Sequence, residues 1–241
     1  MDAAAGAGGR EGAANAGGMG KVLLFDAFAI FDPRPVFDLA ERLFPQQGAE
    51  LVREWKIRQF EYTWLRNITG RYEDFILVIQ DALLYAARVT GVSPTPEQTG
   101  QLVEAYYGLG IWPEVSARLG QLREAGYRLG FLSNFTTRML QVNSERNGVA
   151  HHFEHLLSVD GIRKYKPDPA AYQLGMTAFG VKKSEVLFVP FAGWDAAGAK
   201  GFGYTTFWVN RLGMPEEQLG MSVDGQGANL DALRGFCGGS R

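Results

Sequence analysis

The sequence predicts an α/β protein with a parallel sheet and a helical domain inserted after the first strand. Short apolar runs recur along the chain, and each ends at polar residues that begin a loop or a helix. Segments with apolar residues at helical spacing alternate with these runs, which is typical of a sheet covered by helices on both faces. The first connection is the exception, because roughly one hundred residues with a helical pattern separate the first run from the second.

The strands are predicted from short runs of Leu, Val, Phe and Trp, which are typical of buried parallel strands. They lie at residues 21–25, 129–132, 156–159, 186–189 and 205–209. Helices are predicted at residues 114–125, 169–179 and 196–202, with a further short one at 230–236. Pro169 stands just inside the start of its helix and Gly180 just after the end, which fits the usual asymmetry of helix capping.

The long first connection contains three helical patterns, at residues 50–67, 72–91 and 96–108. A structureless loop of this length would be implausible in a compact domain. We therefore interpret residues 33–112 as a helical cap over the catalytic end of a core that comprises residues 20–32 and 113–236. Residues 1–19 are nearly all Ala and Gly, and we expect them to be disordered because they cannot bury enough apolar surface.

The composition is that of an ordinary globular protein. Of the 241 residues, 46% are hydrophobic and 21% are charged, so the chain can bury a sizeable core. The net charge of −2 gives no reason to expect nucleic acid or an anionic membrane as a partner, and no apolar stretch is long enough to span a bilayer. The single Cys237 excludes an internal disulfide and a cysteine metal cluster, and it fits a reducing cytoplasm.

Asp26 follows the first predicted strand directly. In open α/β sheets ligands bind at the carboxyl ends of the strands, so this carboxylate stands where chemistry is expected. It can act as a nucleophile, a metal ligand or a general base, or it can simply cap a helix that follows. The motifs further along the chain favour a catalytic role.

Several motifs resemble those of the haloacid dehalogenase superfamily, and within it the L-2-haloacid dehalogenases. They are, in chain order, residues 25–26 (FD), 61–66 (EYTWLR), 132–134 (LSN), 157–160 (LSVD), 165–168 (YKPD), 193–199 (GWDAAGA) and 208–211 (WVNR). The resemblance covers almost all of residues 21–220. Each motif is weak alone, whereas their order and spacing together are specific. The resemblance implies a Rossmann-like core with a helical cap, in agreement with the pattern of strands and helices.

The resemblance implies a displacement at carbon in two steps. The carboxylate of Asp26 would attack the α-carbon of a short 2-substituted carboxylic acid and expel the leaving group, which gives an ester. Water, oriented or deprotonated by Asp195, would then attack the ester carbonyl and release a 2-hydroxy acid. The positive charge of Lys166 would keep Asp26 ionised. The reaction needs no metal and no cofactor.

The resemblance also assigns the substrate contacts. Ser133, helped by backbone N–H groups from Ala27 onward, would bind the substrate carboxylate, and Asn134 would lie by the leaving group. Tyr172 would support the lysine or the carboxylate. The arginine that receives the halide in this family aligns with Lys56. Homologues are usually dimers through the cap, which implies a homodimer.

Phe28 argues against phosphatase activity. Superfamily phosphatases carry an aspartate at this position, which protonates the departing alkoxide, and a phenyl ring cannot donate a proton. Mg²⁺ is then not expected, because no phosphate charge has to be neutralised. The three histidines between residues 151 and 155 share no face with a pattern of carboxylates, so we expect ordinary surface chemistry there rather than a metal site.

Three departures from the family pattern leave the identity of the leaving group open. Ala29-Ile30 stand in place of Gly-Thr, Lys56 in place of Arg, and Pro190-Phe191-Ala192 in place of Ser-Ser-Asn. The exchange at Lys56 is not conservative, because lysine is a compact point charge and arginine a broad fork of donors. One alternative is a slow dehalogenase that still releases halide.

A second alternative is L-azetidine-2-carboxylate hydrolase, a member of the same branch that opens a strained C–N ring. Its leaving group is a tethered amine, which needs no cationic acceptor, and Phe28 or Phe191 would face the ring ammonium through cation–π contact. A third alternative is a binding homologue that has lost the chemistry. The retention of Asp26, Lys166 and Asp195 argues against it, because buried charges without catalysis would be a net cost.

Overall fold

The computed structural model describes residues 21–238, and the prediction of disorder for residues 1–19 concerns a part of the chain outside them. The strands are β1 (Val22–Phe25), β2 (Phe31–Asp32), β3 (Gly110–Ile111), β4 (Arg128–Ser133), β5 (Phe153–Ser158), β6 (Val186–Val189), β7 (Thr205–Val209) and β8 (Gly225–Gly227). A parallel sheet has the order β5-β4-β1-β6-β7-β8, and β2 and β3 form a separate antiparallel pair. The chain therefore has the predicted α/β fold with a parallel sheet.

Ten α-helices are present within residues 21–238. They are α1 (Ala27–Ile30), α2 (Arg34–Leu43), α3 (Gly48–Thr69), α4 (Phe75–Val89), α5 (Pro96–Glu104), α6 (Val115–Glu124), α7 (Thr137–Arg146), α8 (Pro169–Phe179), α9 (Gly193–Phe202) and α10 (Leu230–Gly238). A 3₁₀ turn, Ala105–Tyr107, continues α5. We call residues 34–107, from α2 to this turn, the helical segment.

Helices cover the sheet on both faces, because successive side chains of β1 point alternately to two groups of helices. Val22 and Leu24 pack with residues of α8 and α9, whereas Leu23 and Phe25 belong to the core shared with α6, α7 and α10. All four β1 side chains are fully buried, which explains the uninterrupted apolar run of this strand. The helical segment is held together mainly by α3 and α4, and the indole of Trp55 donates a hydrogen bond of 2.8 Å to the carbonyl oxygen of Ile79.

All five predicted strands are present, although β5 begins at Phe153 and not at the predicted residue 156. Three further elements depart from the predicted pattern. The helix predicted at 72–91 begins only at Phe75, because the side chain of Asp74 accepts a hydrogen bond from Leu77 N–H and caps it. The helix predicted at 196–202 begins three residues earlier, at Gly193. The strand β8 was not predicted because its glycines read as a loop, but a Cβ at Gly225 would lie 2.8 Å from the ring of Phe236.

Helix α2 and the short pair β2–β3 were also not predicted. The pair joins the two ends of the helical segment, since Phe31 lies opposite Ile111 and Asp32 opposite Gly110. Pairs of only two residues have too little sequence pattern to be recognised. None of the helices among residues 21–238 is both long enough and apolar enough to cross a bilayer.

Candidate active site

Three neighbouring strands bring the candidate residues to one edge of the sheet. Asp26 follows β1, Ser133 ends β4 and precedes Asn134, and Asp195 lies in α9 after β6. Because β1 pairs with β4 on one side and with β6 on the other, these residues meet at the carboxyl ends of the strands. They line a small cavity, whose other lining residues are Phe28, Phe60, Phe75, Phe135, Ala192 and Trp194.

Lys166, from the loop before α8, is the charged centre of this site, and its side chain is only 1% exposed. Its Nζ lies 2.9 Å from Asp26 Oδ1, 2.6 Å from Asp195 Oδ2 and 3.1 Å from the carbonyl oxygen of Leu132. An ammonium group has three protons, so these three bonds use all of them. Burial by itself lowers the pKa of Lys166, but the charges of Asp195 and Asp26 outweigh this effect and hold the pKa above its ordinary value.

Asp195 is as deeply buried as Lys166. Its second oxygen, Oδ1, accepts a hydrogen bond of 2.8 Å from the hydroxyl group of Tyr172. Burial raises the pKa of Asp195 from its ordinary 3.8 to about 6; the charge of Lys166 acts in the opposite direction, and the charge of Asp26 adds to the rise. Burial, and then the charge of Asp195, raise the pKa of Tyr172 well above its ordinary value, so this hydroxyl remains a donor. The ion pair of 2.6 Å with Lys166 favours the ionised form of Asp195.

Asp26 both faces the cavity and caps a helix. Its Oδ2 accepts a hydrogen bond of 3.1 Å from the backbone N–H of Phe28 in the first turn of α1. Its own backbone N–H donates to the carbonyl oxygen of Val189, which fixes the main chain between β1 and β6. Ala27 is fully buried and begins α1, where backbone N–H groups have no partner within the helix. The capping and the catalytic interpretations of Asp26 are thus compatible.

Ser133 and Asn134 present polar groups to the cavity. Ser133 Oγ accepts a hydrogen bond of 3.1 Å from the backbone N–H of Phe135, which leaves the hydroxyl proton available to donate. Asn134 Oδ1 accepts from the backbone N–H of Lys166 at 3.0 Å. Its Nδ2 is buried and has no hydrogen-bond partner among the described residues. A buried donor without a partner is costly, so this amide points to a ligand that accepts a hydrogen bond.

Aromatic rings line most of the rest of the cavity. Phe28 packs edge-on against Phe135, with ring centroids 5.0 Å apart, and Phe75 stacks on the same ring. Phe60 from α3 lies 5.1 Å from Trp194, whose buried indole N–H also lacks a partner within the described part of the chain. Phe60, Phe75, Phe135 and Trp194 were not predicted to lie in the site. Only the last two carried a usable signal, since Phe135 follows the motif that ends at Asn134 and Trp194 lies in the motif that contains Asp195.

The structure does not bring Lys56 to this cavity, contrary to the assignment implied by the family alignment. Lys56 is exposed, and its Nζ lies 4.9 Å from the ring centroid of Phe37. It stands one turn before Phe60 on α3, about 6 Å along the helix axis, and lines an outer groove instead. Arg58 does not replace it, because its guanidinium is paired with Glu54 and Glu61.

Two further predicted residues lie just outside the cavity. Tyr172 does not line the cavity, but its hydroxyl group donates to Asp195, which does. The carbonyl oxygen of Tyr172 accepts a hydrogen bond from the hydroxyl group of Tyr204. Phe191 lines the outer groove, and its ring centroid lies 5.9 Å from that of Phe28. Both residues are therefore placed to support lining residues rather than to touch a ligand in the cavity.

No group of three or more His, Cys, Asp or Glu side chains within residues 21–238 is arranged to hold a metal ion. The rings of His151 and His152 lie against each other, with centroids 3.9 Å apart. The charged groups around the cavity are Asp26, Lys166 and Asp195.

Known proteins with similar sequences share nearly the full length of this chain. A family model described as haloacid dehalogenase-like hydrolase matches residues 23–203. Haloacetate dehalogenase H-2 of Moraxella sp. (strain B) is 37% identical over 214 residues, which cover 88% of this chain and 96% of the relative. The (S)-2-haloacid dehalogenase of Pseudomonas sp. (strain YL) is 36% identical over 214 residues, or 88% of this chain and 92% of the relative.

Solved structures agree with these relatives. The L-2-haloacid dehalogenase RSc1362 superposes with a TM-score of 0.88 at 40% identity, covering 91% of this chain and 99% of that one. The L-2-haloacid dehalogenase of Xanthobacter autotrophicus with chloropropionic acid covalently bound gives 0.83 at 32% identity, covering 90% and 98%. The shared sequence, the shared fold and the family model together show that this chain belongs to the haloacid dehalogenase-like hydrolase family.

Proposed function

We propose that the protein displaces halide from the α-carbon of a short L-2-haloacid and releases a 2-hydroxy acid, through an ester on Asp26. The observation that carries the proposal is the pairing of Asp26 with the buried Lys166 at the edge of a small, largely aromatic cavity. The names of the relatives support it, as does the covalently bound chloropropionic acid in the neighbour from Xanthobacter autotrophicus.

In the first step an oxygen of Asp26 attacks the α-carbon. A C–O bond forms while the carbon–halogen bond breaks, and its electron pair leaves with the halide. The ammonium of Lys166 favours the ionised carboxylate, and the Phe28 N–H orients the other oxygen. The aromatic rings around the cavity exclude water, which would otherwise solvate the nucleophile and weaken it.

The substrate carboxylate needs donors, and the site offers several. The free hydroxyl proton of Ser133 and the backbone N–H of Ala27, at the start of α1, are placed for this role. For the leaving group, two buried donors without partners among the described residues remain, Asn134 Nδ2 and Trp194 Nε1. Neutral donors in a dry cavity stabilise a departing anion more strongly than they would in water.

In the second step water attacks the carbonyl carbon of the ester. Asp195, which is paired with Lys166 and lines the cavity, accepts one proton of this water. The bond between the carbonyl carbon and the substrate oxygen then breaks, and that oxygen takes the proton from Asp195. The second proton of the water is lost to solvent, so Asp26 is regenerated as a carboxylate and the 2-hydroxy acid leaves. Since only the first step takes place at the α-carbon, the configuration there is inverted over the whole reaction.

Opening of the L-azetidine-2-carboxylate ring is the second candidate, and one observation favours it. Lys56 lies outside the cavity, and all three protons of Lys166 are already used, so neither of these two cations is free to receive a halide. The cavity instead presents aromatic faces, which attract a protonated ring nitrogen. A tethered amine would leave without needing a cationic acceptor. No comparable observation favours the third alternative, a binding homologue that has lost catalytic activity.

We also propose that residues 33–112 act as a cap on a core formed by residues 20–32 and 113–236. The support is that α3 supplies Phe60 and α4 supplies Phe75 to the cavity, so the helical segment closes it from one side. The same helices expose Ile57, Leu65, Ile68, Leu84, Tyr85 and Val89. Exposed apolar side chains of this kind favour a homodimer through the cap, and light scattering on the purified protein tests it, since a monomeric mass would contradict the dimer.

One experiment separates the two leaving groups. Purified protein is incubated in ¹⁸O-labelled water with L-2-chloropropionate and, separately, with L-azetidine-2-carboxylate, and the products and the protein are analysed by mass spectrometry. With enzyme in excess, the ester route places the label in Asp26 rather than in the first molecules of product. Labelled Asp26 with D-lactate supports the halide reaction, and labelled Asp26 with 2-hydroxy-4-aminobutyrate supports ring opening. Label in the first-turnover product, or no product from either compound, would contradict the proposal.

A further inference from the structure

The end of α3 and the turn after it hold the loop that carries Lys166. Tyr72 stacks on Tyr165 with ring centroids 4.8 Å apart, and the Tyr165 hydroxyl donates to the carbonyl oxygen of Glu73 at 2.6 Å. Arg163 donates to the carbonyl oxygen of Tyr72 at 2.9 Å. The helical segment and the loop before α8 are therefore joined beside the catalytic lysine.

Within this contact, Asn67 makes the bonds nearest to Lys166 along the backbone. Its Nδ2 donates to the carbonyl oxygen of Tyr165 at 2.8 Å, and its Oδ1 accepts from the backbone N–H of Tyr165 at 2.9 Å. The side-chain amide of Asn67 thus binds both the backbone N–H and the backbone carbonyl of Tyr165, the residue that precedes Lys166. The next backbone N–H, that of Lys166 itself, donates to Asn134 Oδ1 at 3.0 Å.

The loop needs such bonds because no regular structure holds it. Residues 163–168 belong to neither a helix nor a strand. Among their backbone groups, the Arg163 N–H donates to the Asp160 carbonyl oxygen and the Asp168 N–H donates to the Tyr165 carbonyl oxygen, but the N–H groups of Tyr165 and Lys166 donate to side chains. Asn134 fixes the loop from β4, and Asn67 fixes it from the helical segment, 98 residues away in the sequence. Lys166 Nζ in turn has three partners within 3.1 Å, so a small backbone shift would lengthen all three contacts.

We propose that Asn67 is a positioning residue. Through it, the position of the Lys166 ammonium relative to Asp26 and Asp195 depends on how the helical segment packs against the loop before α8. This inference rests on the proposed function, in which Lys166 keeps the nucleophile charged. It explains how a residue on α3 that does not line the cavity affects the first chemical step. It also means that Lys166 would not be aligned with Asp26 if the helical segment moved away from the loop before α8.

The test compares Asn67→Ala with Tyr72→Phe as the matched control. Tyr72→Phe removes the hydrogen bond from Tyr72 to Asp160 across the same contact, but it leaves the Tyr165 backbone bonds intact. We expect Asn67→Ala to lower kcat on L-2-chloropropionate by about tenfold or more with little change in KM, because misplacement by an ångström can cost about a hundredfold. Tyr72→Phe should keep kcat within about twofold at a comparable loss of thermal stability.

A second measurement does not depend on turnover. In protein labelled with [ε-¹³C]lysine, the Lys166 resonance is assigned by its loss in Lys166→Arg, and it should shift or broaden in Asn67→Ala but not in Tyr72→Phe. Asn67→Asp, which has the same size, should behave like Asn67→Ala because its oxygen would face the Tyr165 carbonyl. An unchanged Lys166 resonance in both Asn67 variants, or equal effects of Asn67→Ala and Tyr72→Phe, would overturn the inference. A wild-type protein that converts no haloacid would contradict the proposed function and leave the resonance test decisive for Asn67.

Discussion

Lys166 Nζ and Asp195 Oδ2 lie 2.6 Å apart, and both side chains are 99% hidden from solvent. The same ammonium holds Asp26 at 2.9 Å, so one buried cation serves two carboxylates. Removing one partner of a buried ion pair leaves an uncompensated charge, which is strongly unfavourable. The three groups are therefore expected to depend on one another in both stability and activity.

The first prediction concerns Lys166→Met. Two carboxylates would share the cavity without a counter-ion, so we expect the free energy of unfolding to fall by about 3–5 kcal/mol. The activity on L-2-chloropropionate should fall at least about a hundredfold, because the charge that stabilises the nucleophile is lost. Urea unfolding and steady-state kinetics measure the two effects. Lys164→Met is the control, since Lys164 is 45% exposed and pairs with Asp168 only at 3.9 Å, and it should cost less than about 1 kcal/mol.

The second prediction concerns pH. Because Asp195 takes up a proton more readily in the native state, with a pKa of about 6 against 3.8, ionising it works against folding. Its contribution to stability therefore falls as the pH rises from about 4 to about 6. Activity should change in the opposite sense, since the ionised form is the base, so kcat/KM should rise with pH through about 6. A kcat/KM that is flat between pH 5 and pH 7 would contradict the role of Asp195.

The third prediction separates halide from amine release through Trp194→Phe. This change keeps an aromatic ring against Phe60 but removes the unpaired indole donor. We expect kcat on L-2-chloropropionate to fall by about tenfold, the scale of one lost hydrogen bond to an anion. Turnover of L-azetidine-2-carboxylate should be unaffected, because an amine leaving group needs no N–H donor. Equal losses on both compounds would mean that the ring matters only as packing.

The fourth prediction concerns Gly198→Ala. A Cβ at this position would lie 2.6 Å from both the Tyr172 hydroxyl oxygen and the Pro167 Cβ, so Tyr172 would be pushed away from Asp195. Overpacking of this kind costs about 1–3 kcal/mol. Because the Tyr172 hydrogen bond lowers the pKa of Asp195, its loss should also move the rise in kcat/KM to higher pH. Gly235→Ala in α10 is the control, since nothing lies within 4 Å of its Cβ, and it should change neither property for the worse.

The sequence predicted the central strands β1, β4, β6 and β7 well because each contains a continuous buried apolar run that needs no tertiary information. Asp26, Lys166 and Asp195, which the structure brings together, were predicted for a related reason, since each lies inside a short motif. Phe60 and Phe75 could not be placed in the cavity, because apolar residues on α3 and α4 look the same whether they face the core or a ligand. Lys56 was predicted to lie in the site but lies outside the cavity, because an aligned position on a helix does not determine where a flexible side chain points.

The use of all three Lys166 protons has an electrostatic consequence over the catalytic cycle. In the proposed mechanism the side chains of the resting site carry two negative charges and one positive charge. Formation of the ester would neutralise Asp26, so the charges of the three side chains would balance, and hydrolysis would restore the negative charge beside an anionic product. The regenerated carboxylate would therefore repel the hydroxy acid, which favours product release.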